Sequence, residues 1–349
     1  ETVMKTKNYW INRSNERMDG YLIASEKAVE EIETAFRRAE TQINVEIESV
    51  YRNLAKISDA VTAKRYLDRV PDASVLKVLK NQINNMPAGA EKQRALTELS
   101  SPAYKARIDR LQATIDNSRK YCNELYKTQI KATDSFLSKT AKAAYYKSLF
   151  DITMGTGYAQ SFSLFPKSRI DQILKQKWNG THYSKRIWNN TDNLAAELKE
   201  TLLSGFMSGQ SNTKMADAIA KKFDVSVYAA RRLIRTETNY VANNAELHSY
   251  SECGIEQYEY VATLDGKTSL MCQELDGKIF DVKDGQSGIN MPPMHPHCRS
   301  TTIAHFEGKT PKERFARDKD GKPIRVRGDM TYKEWMNEVN ENNSKEKIL

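Results

Sequence analysis

The chain has 349 residues, 39% of them apolar and 28% charged, with a formal net charge of +9. That length accommodates two or three domains with real cores, and no apolar run approaches the roughly 20 residues that cross a bilayer, so a soluble chain without a membrane segment is expected. No apolar core of a secretory signal follows the first residues. The four cysteines, Cys122, Cys253, Cys272 and Cys298, lie too far apart for a small disulfide scaffold, which predicts free thiols in a reducing compartment.

From Ser25 to about Lys56, Val29, Ile32, Phe36, Ala39, Ile43, Ile47, Val50 and Leu54 recur at three- and four-residue steps, which predicts one long amphipathic helix. "NNMPAGAEKQ" reads as a turn. A second helix is predicted from Pro102, a residue suited to a first turn, through Tyr104, Ile108, Leu111, Ile115, Cys122 and Leu125 towards Tyr146. Seams of this kind pack within a chain or against a partner, and the first is the more common.

Further on, Leu194, Leu198 and Leu202 form one helical stripe. Asn212 or Thr213 is placed to cap a helix carrying Met215, Ile219 and Phe223, and Ser226 to cap another that Gly254 ends. After Gly254 the period falls to two, with Tyr258, Tyr260, Ala262 and Leu264 on one face and Gln257, Glu259, Val261 and Thr263 on the other. "KIFDV" and "STTIAHF" are two more strands. The stretch after Glu307 is charged and turn-rich, with one short helix around Trp335 and an unfolded end. The expected class is α+β: long N-terminal α-helices, then a helical domain with a small antiparallel β-sheet. The expected boundaries are 1–160 for the long helices, 161–308 for the mixed domain and 309–349 for the tail.

The stretch "GINMPPMHPHCRSTTIAHF" concentrates chemistry. Cys272, His295 and Cys298 offer the thiolate and imidazole mixture that zinc favours, with Asp265 or His297 as a fourth ligand. The prolines would hold such ligands at a low entropic cost. A packed loop of small buried thiols, with His295 bonded to a backbone carbonyl, fits the same residues. So does a Cys–His nucleophile, and a Cys272–Cys298 disulfide is disfavoured by compartment.

"RRLIRTETN" places Arg231, Arg235 and Thr238 near one helix face and Glu237 on another. These arginines suit a phosphate or a partner carboxylate, or an internal Arg–Glu network tying the helix to the sheet. "DGKTS" and "DGKIF" read as tight Asp-Gly turns between strands and lack the spacing of a phosphate loop. Trp178 and Trp188 read as core anchors rather than base-stacking platforms.

Taken together, "WNGTHYSKRIWNNTDNLAAELKETLLSGFMSGQS", "ARRLIRTETNYVANNAE", "DGKTSLMCQELDGKIF" and "GINMPPMHPHCRSTTIAHF" resemble the minor head proteins of tailed phages, the head morphogenesis family that includes protein F of phage Mu. The resemblance covers about residues 165–340, and the N-terminal helices add only "YWINRSNER" at Tyr9 to Arg17. Its His-Pro-x-Cys-Arg centre falls on His295, Pro296, Cys298 and Arg299, with Cys272 and Asp265 upstream. His297 stands where relatives often have asparagine, which makes it the weaker ligand candidate.

The resemblance implies a virion component inside the capsid, present in few copies and assembled in the host cytoplasm. Its expected partners are the portal protein, the scaffold or major capsid protein, and packaged double-stranded DNA, with which it is sometimes ejected. No membrane and no catalytic activity are implied. The expected sites are therefore structural: zinc on Cys272, His295, Cys298 and Asp265 with no open position, and partner or phosphate contacts at Arg231, Arg235 and Arg299. The rival readings are a metal- or cysteine-dependent enzyme using Cys272, Cys298, His295 and Glu237, and a dedicated DNA-binding protein.

Overall fold

A computed structural model describes residues 7–55, 81, 83–90, 92–93, 102–156, 165–178, 180–207, 210–305, 313–317, 323–327 and 334. Six helices are numbered here, α1 Lys7–Ala55, α2 Pro102–Thr156, α3 Lys167–Lys175, α4 Tyr183–Met207, α5 Asn212–Glu252 and α6 Leu270–Leu275. The strands are β1 Gln257–Val261, β2 Ile279–Asp281, β3 Thr301–Ala304, β4 Glu313–Arg317 and β5 Pro323–Arg327. Long helices followed by a small antiparallel sheet make the α+β class that the sequence predicts. Among the described residues no helix is long and apolar enough to cross a membrane.

The chain divides into two compact units, one of residues 1–30, 131–186 and 231–349, the other of residues 31–130 and 187–230. The second is built as the periodicity dictates. Phe36, Ile43, Ile47 and Val50 of α1, Leu111, Ile115, Cys122 and Leu125 of α2, Leu194, Leu198 and Leu202 of α4, and Ile219 and Phe223 of α5 are all buried. Phe36 and Phe223 meet edge to face with centroids 6.3 Å apart, a favoured aromatic geometry. Asn117 and Tyr121 donate to Glu46 beside this seam, while the buried Ser118 and Thr191 hydroxyls donate back to carbonyls of their own helices.

The first unit surrounds the three-stranded sheet, ordered β2-β1-β3 and antiparallel throughout. In β1, Tyr258 to Val261 are all buried, so the half-polar alternation expected of this strand does not hold. The reason is its central place. Trp10 and Ile11 of α1, Ile152 of α2 and Tyr250 of α5 pack with Tyr258, Val261 and Ile303, while Cys272 and Cys298 pack with Tyr260 and Ala262.

Several boundaries differ from expectation for local reasons. The first helix starts at Lys7, well before Ser25. Ser25 is buried within it and its hydroxyl donates to the Leu22 carbonyl at 2.6 Å, back-bonding instead of capping. The two helices expected on either side of Ser226 are one, α5, of 41 residues. With no Pro or Gly in this stretch the ladder continues through Ser226, whose carbonyl also accepts Asn190 Nδ2 at 3.1 Å. Ser211, rather than Asn212 or Thr213, caps its start by accepting the Lys214 N–H at 3.3 Å.

The other end of α5 is as predicted. Gly254 has φ +69°, and Ile255 N–H to Tyr250 O with Gly254 N–H to Ser251 O completes a Schellman motif. Neither Asp-Gly turn joins two strands, because α6 stands between them: one links β1 to α6 and the other links α6 to β2. β4 and β5 pair as a hairpin inside the stretch expected to be turn-rich. Charged residues occupy so much of "ERFAR" and "PIRVR" that no apolar face shows in the sequence. Trp335 and the predicted helix around it, and the end expected to be unfolded, lie outside the described residues, apart from helical Glu334.

Candidate functional site

The site forms where α6 and the proline loop meet beside β1. Ser269 caps α6 by accepting the Cys272 N–H at 3.4 Å, which turns Cys272 inward to 1% exposure. The Asp276–Gly277 turn registers α6 on the sheet. Gly277 adopts φ +77°, its N–H reaches the Tyr260 carbonyl at 2.9 Å, and Asp276 Oδ1 accepts the Ala262 N–H at 2.8 Å. The left-handed backbone at this position is open to glycine at little cost.

Opposite, residues 288–300 are held from α5. The His297 N–H donates to Thr236 Oγ1 at 3.1 Å, and Asn239 Nδ2 donates to the Ser300 carbonyl at 2.9 Å. Ser287 Oγ donates to the Pro292 carbonyl at 3.1 Å and accepts Asn244 Nδ2 at 3.2 Å. His297 takes φ +62°, which a side chain rarely adopts. The Cys298 N–H closes a turn onto the His295 carbonyl at 3.1 Å. Thr236 and Asn239 of "RTETN" thus fasten this loop, a role that their composition does not announce.

The result is a convergence of three soft donors. Cys272 Sγ lies 3.4 Å from His295 Nε2 and 3.8 Å from Cys298 Sγ, and the three ligand atoms all lie within 4.8 Å of one another. His295 Nδ1 sits 2.8 Å from the Pro296 carbonyl, an acceptor that fixes the proton on Nδ1 and leaves the Nε2 lone pair facing sulfur. The Tyr260 hydroxyl donates to Cys272 Sγ at 3.2 Å.

Hydrogen bonding from Cys272 holds the Cys298 thiol down to about 6 against the upward push of its burial, with help from backbone N–H groups. The bond to Cys298 and burial push Cys272 the other way. All four cysteines are free. With both Cys272 and Cys298 at 1% exposure, a nucleophile here has no open path to a substrate, whereas a small cation needs only the donors.

Asp265 is not brought to the sulfurs. Arg299 forks onto both of its oxygens, with Nη2 at 2.7 Å from Oδ1 and Nη1 on Oδ2, and the Lys267 N–H donates to Oδ1 at 3.0 Å. Burial alone would raise the Asp265 carboxyl, but Arg299 and these hydrogen bonds outweigh it and hold the group below its ordinary value. Arg299 thereby has an internal partner. Arg231 and Arg235 converge on Glu26 of α1 at 2.9 and 2.6 Å, so they tie α5 to another helix instead of to the sheet.

Glu237 accepts Arg186 at 2.8 Å and Trp178 Nε1 at 3.3 Å. Trp178 is half-buried and stacks on Tyr240 with centroids 5.4 Å apart, which meets the expectation of a core anchor in part. Trp188 departs from that expectation, being 39% exposed and only edge-on to Tyr126 at 5.2 Å.

The N-terminal "YWINRSNER" supplies what the sequence left unexplained. Its Ser14 hydroxyl donates to the Thr302 carbonyl at 2.7 Å and lies 2.8 Å from Thr301 Oγ1, on the strand that follows the loop. Arg17, buried, donates Nε to Glu246 at 3.0 Å and Nη1 to Asp151, and Asp151 also accepts Arg13 Nε at 2.9 Å. The motif is therefore a structural part of the first unit.

A Phage Mu protein F like domain occupies residues 196–303, a span that contains Cys272, His295 and Cys298. The chain is thus similar to phage minor head proteins, through this domain and through a relative matched over most of its length. It is 26% identical over 287 residues to the minor head protein GP7 of Bacillus phage SPP1, covering 78% of this chain and 91% of that protein. It is also 27% identical over 232 residues to the NAD(+)–arginine ADP-ribosyltransferase EFV of Enterococcus faecalis, covering 62% of this chain. The chain spans only 47% of the length of that relative. No solved structure matches.

Proposed function

We propose that this chain is an internal minor capsid protein that enters the procapsid by binding the portal, contacts packaged double-stranded DNA and leaves the capsid with it. The observation that carries the reading is the similarity to a minor head protein across 91% of that protein's length. Likeness over nearly a whole relative supports a shared role better than likeness to one domain. The helical unit supports it as well, since four helices bury one apolar seam and leave charged outer faces free for a partner. A net charge of +9 suits a component that lies beside DNA.

The similarity to EFV spans under half of that enzyme. We read the shared part as the head-protein component and assign this chain no transferase activity. Incubation with labelled NAD and an arginine substrate should give no transfer above a blank. Portal binding is tested by co-purification with the tagged portal of the same phage, with the major capsid protein as a second bait. Retention on the portal alone supports the reading; retention on neither removes it. Titration against duplex DNA tests the rival. A steep fall of affinity with salt at many phosphate contacts would mark a dedicated DNA-binding protein.

A further inference from the structure

We propose that Cys272 Sγ, Cys298 Sγ and His295 Nε2 bind one zinc ion, which pins α6 to the proline loop. The inference stands on geometry and does not depend on the head-protein reading.

Tetrahedral zinc has Zn–S near 2.3 Å and Zn–N near 2.0–2.1 Å, so its ligands lie about 3.8 Å apart for two sulfurs and about 3.6 Å apart for sulfur and nitrogen. The corresponding separations here are 3.8 and 3.4 Å. Two edges of the tetrahedron are thus already built. The imidazole is turned for the task, because the Pro296 carbonyl accepts from Nδ1 and leaves Nε2 as the ligand, the usual outer support of a metal-bound histidine. Tyr260 supplies the same kind of support to the Cys272 sulfur.

Charge favours one metal class. Two thiolates and a neutral imidazole around a divalent ion sum to zero, and a neutral cluster is what a pocket lined by Tyr260, Ala262 and Met294 tolerates. Soft donors select zinc over magnesium or calcium, which take oxygen ligands. Binding takes both sulfurs as thiolates, so any proton a thiol still carries passes to solvent, and no oxidation state changes. Of the two candidates for a fourth ligand, Asp265 is held by Arg299 and His297 does not join the group. Among the described residues, Cys272, His295 and Cys298 form the only such group of metal-ligating side chains, so a fourth ligand comes from outside this set.

The test uses the full chain purified without chelator, measured for zinc by elemental analysis and then titrated with cobalt(II) after zinc removal. The expected result is about one zinc per chain and, with cobalt, intense visible bands of a tetrahedral site with thiolate charge transfer. Both signals should vanish in the Cys272→Ser/Cys298→Ser double variant and persist in Cys122→Ser/Cys253→Ser. Should the first variant fail to fold, thiol mapping of the wild-type chain decides: alkylation of Cys272 and Cys298 should rise on chelation and fall when zinc is restored. A folded wild-type chain that takes up neither metal, thiols indifferent to chelation, or a Cys272–Cys298 disulfide in the peptide map overturns the proposal.

Discussion

The two units of this molecule are stabilised by different chemistry. In the helical unit the described buried residues are mostly apolar, with a few hydroxyls and one amide but no charged side chain, and its ion pairs, such as Lys222 with Glu197 at 3.3 Å, stay exposed. The unit that holds the sheet buries Arg17, Asp151, Glu237, Glu246 and Glu259 together with two thiols. The first gains stability from area removed from water, which tolerates imprecise partners. The second depends on specific pairs, each expensive to break.

That contrast predicts where substitutions hurt most. Arg17→Ala should destabilise the sheet-bearing unit by about 3–5 kcal/mol in urea denaturation, since Glu246 would remain buried without its cation. Ile43→Ala, at 0% exposure in the helical seam, should cost about 3 kcal/mol through lost transfer and a residual cavity. A helical unit as sensitive to removal of a surface charge as to Ile43→Ala would break the distinction.

Glu237 gives a pH signature to the unit with buried charge. Burial raises its carboxyl from 4.5 to about 7, only partly offset by Arg186 and Trp178. The folded chain then keeps a proton that the unfolded chain releases, so stability should fall on the order of 2 kcal/mol as pH rises from about 4.5 to 7. Glu237→Gln should flatten that slope in denaturation curves taken across the window.

Asp265 works in the opposite sense. Its carboxyl is held below the ordinary 3.8, so its contribution is present above that value and lost as pH falls further. Arg299→Gln should cost about 1–2 kcal/mol at neutral pH by leaving Asp265 underbonded, and less in acid. The smallest effect is expected at Arg119, 72% exposed and 3.9 Å from Asp192. Arg119→Ala should change stability by less than about 0.5 kcal/mol.

The same contrast explains what was legible in the sequence. Apolar spacing alone reveals the seam of Ile32, Phe36, Ile43 and Ile47, because burial in that unit follows helical period. The three strands of the sheet and the Gly254 stop are equally local signals. Cys272, His295 and Cys298 could be grouped from residue type and the proline loop before any coordinates. What stayed hidden depends on tertiary partners. Nothing near Ser14 announces Thr301, and nothing near Arg231 and Arg235 announces Glu26 on α1. Asp265 suits a metal by residue type, yet Arg299 takes it, a choice made by positions 34 residues apart. Ser226 suits a cap by type, but with no helix breaker beside it α5 runs through.

The most direct measurement of the proposed role is the protein content of procapsids assembled with and without the portal, by quantitative mass spectrometry on purified particles. A minor head protein recruited through the portal should be present in few copies in complete procapsids and lost from portal-less ones. Equal content in both preparations, or absence from both, would contradict the account.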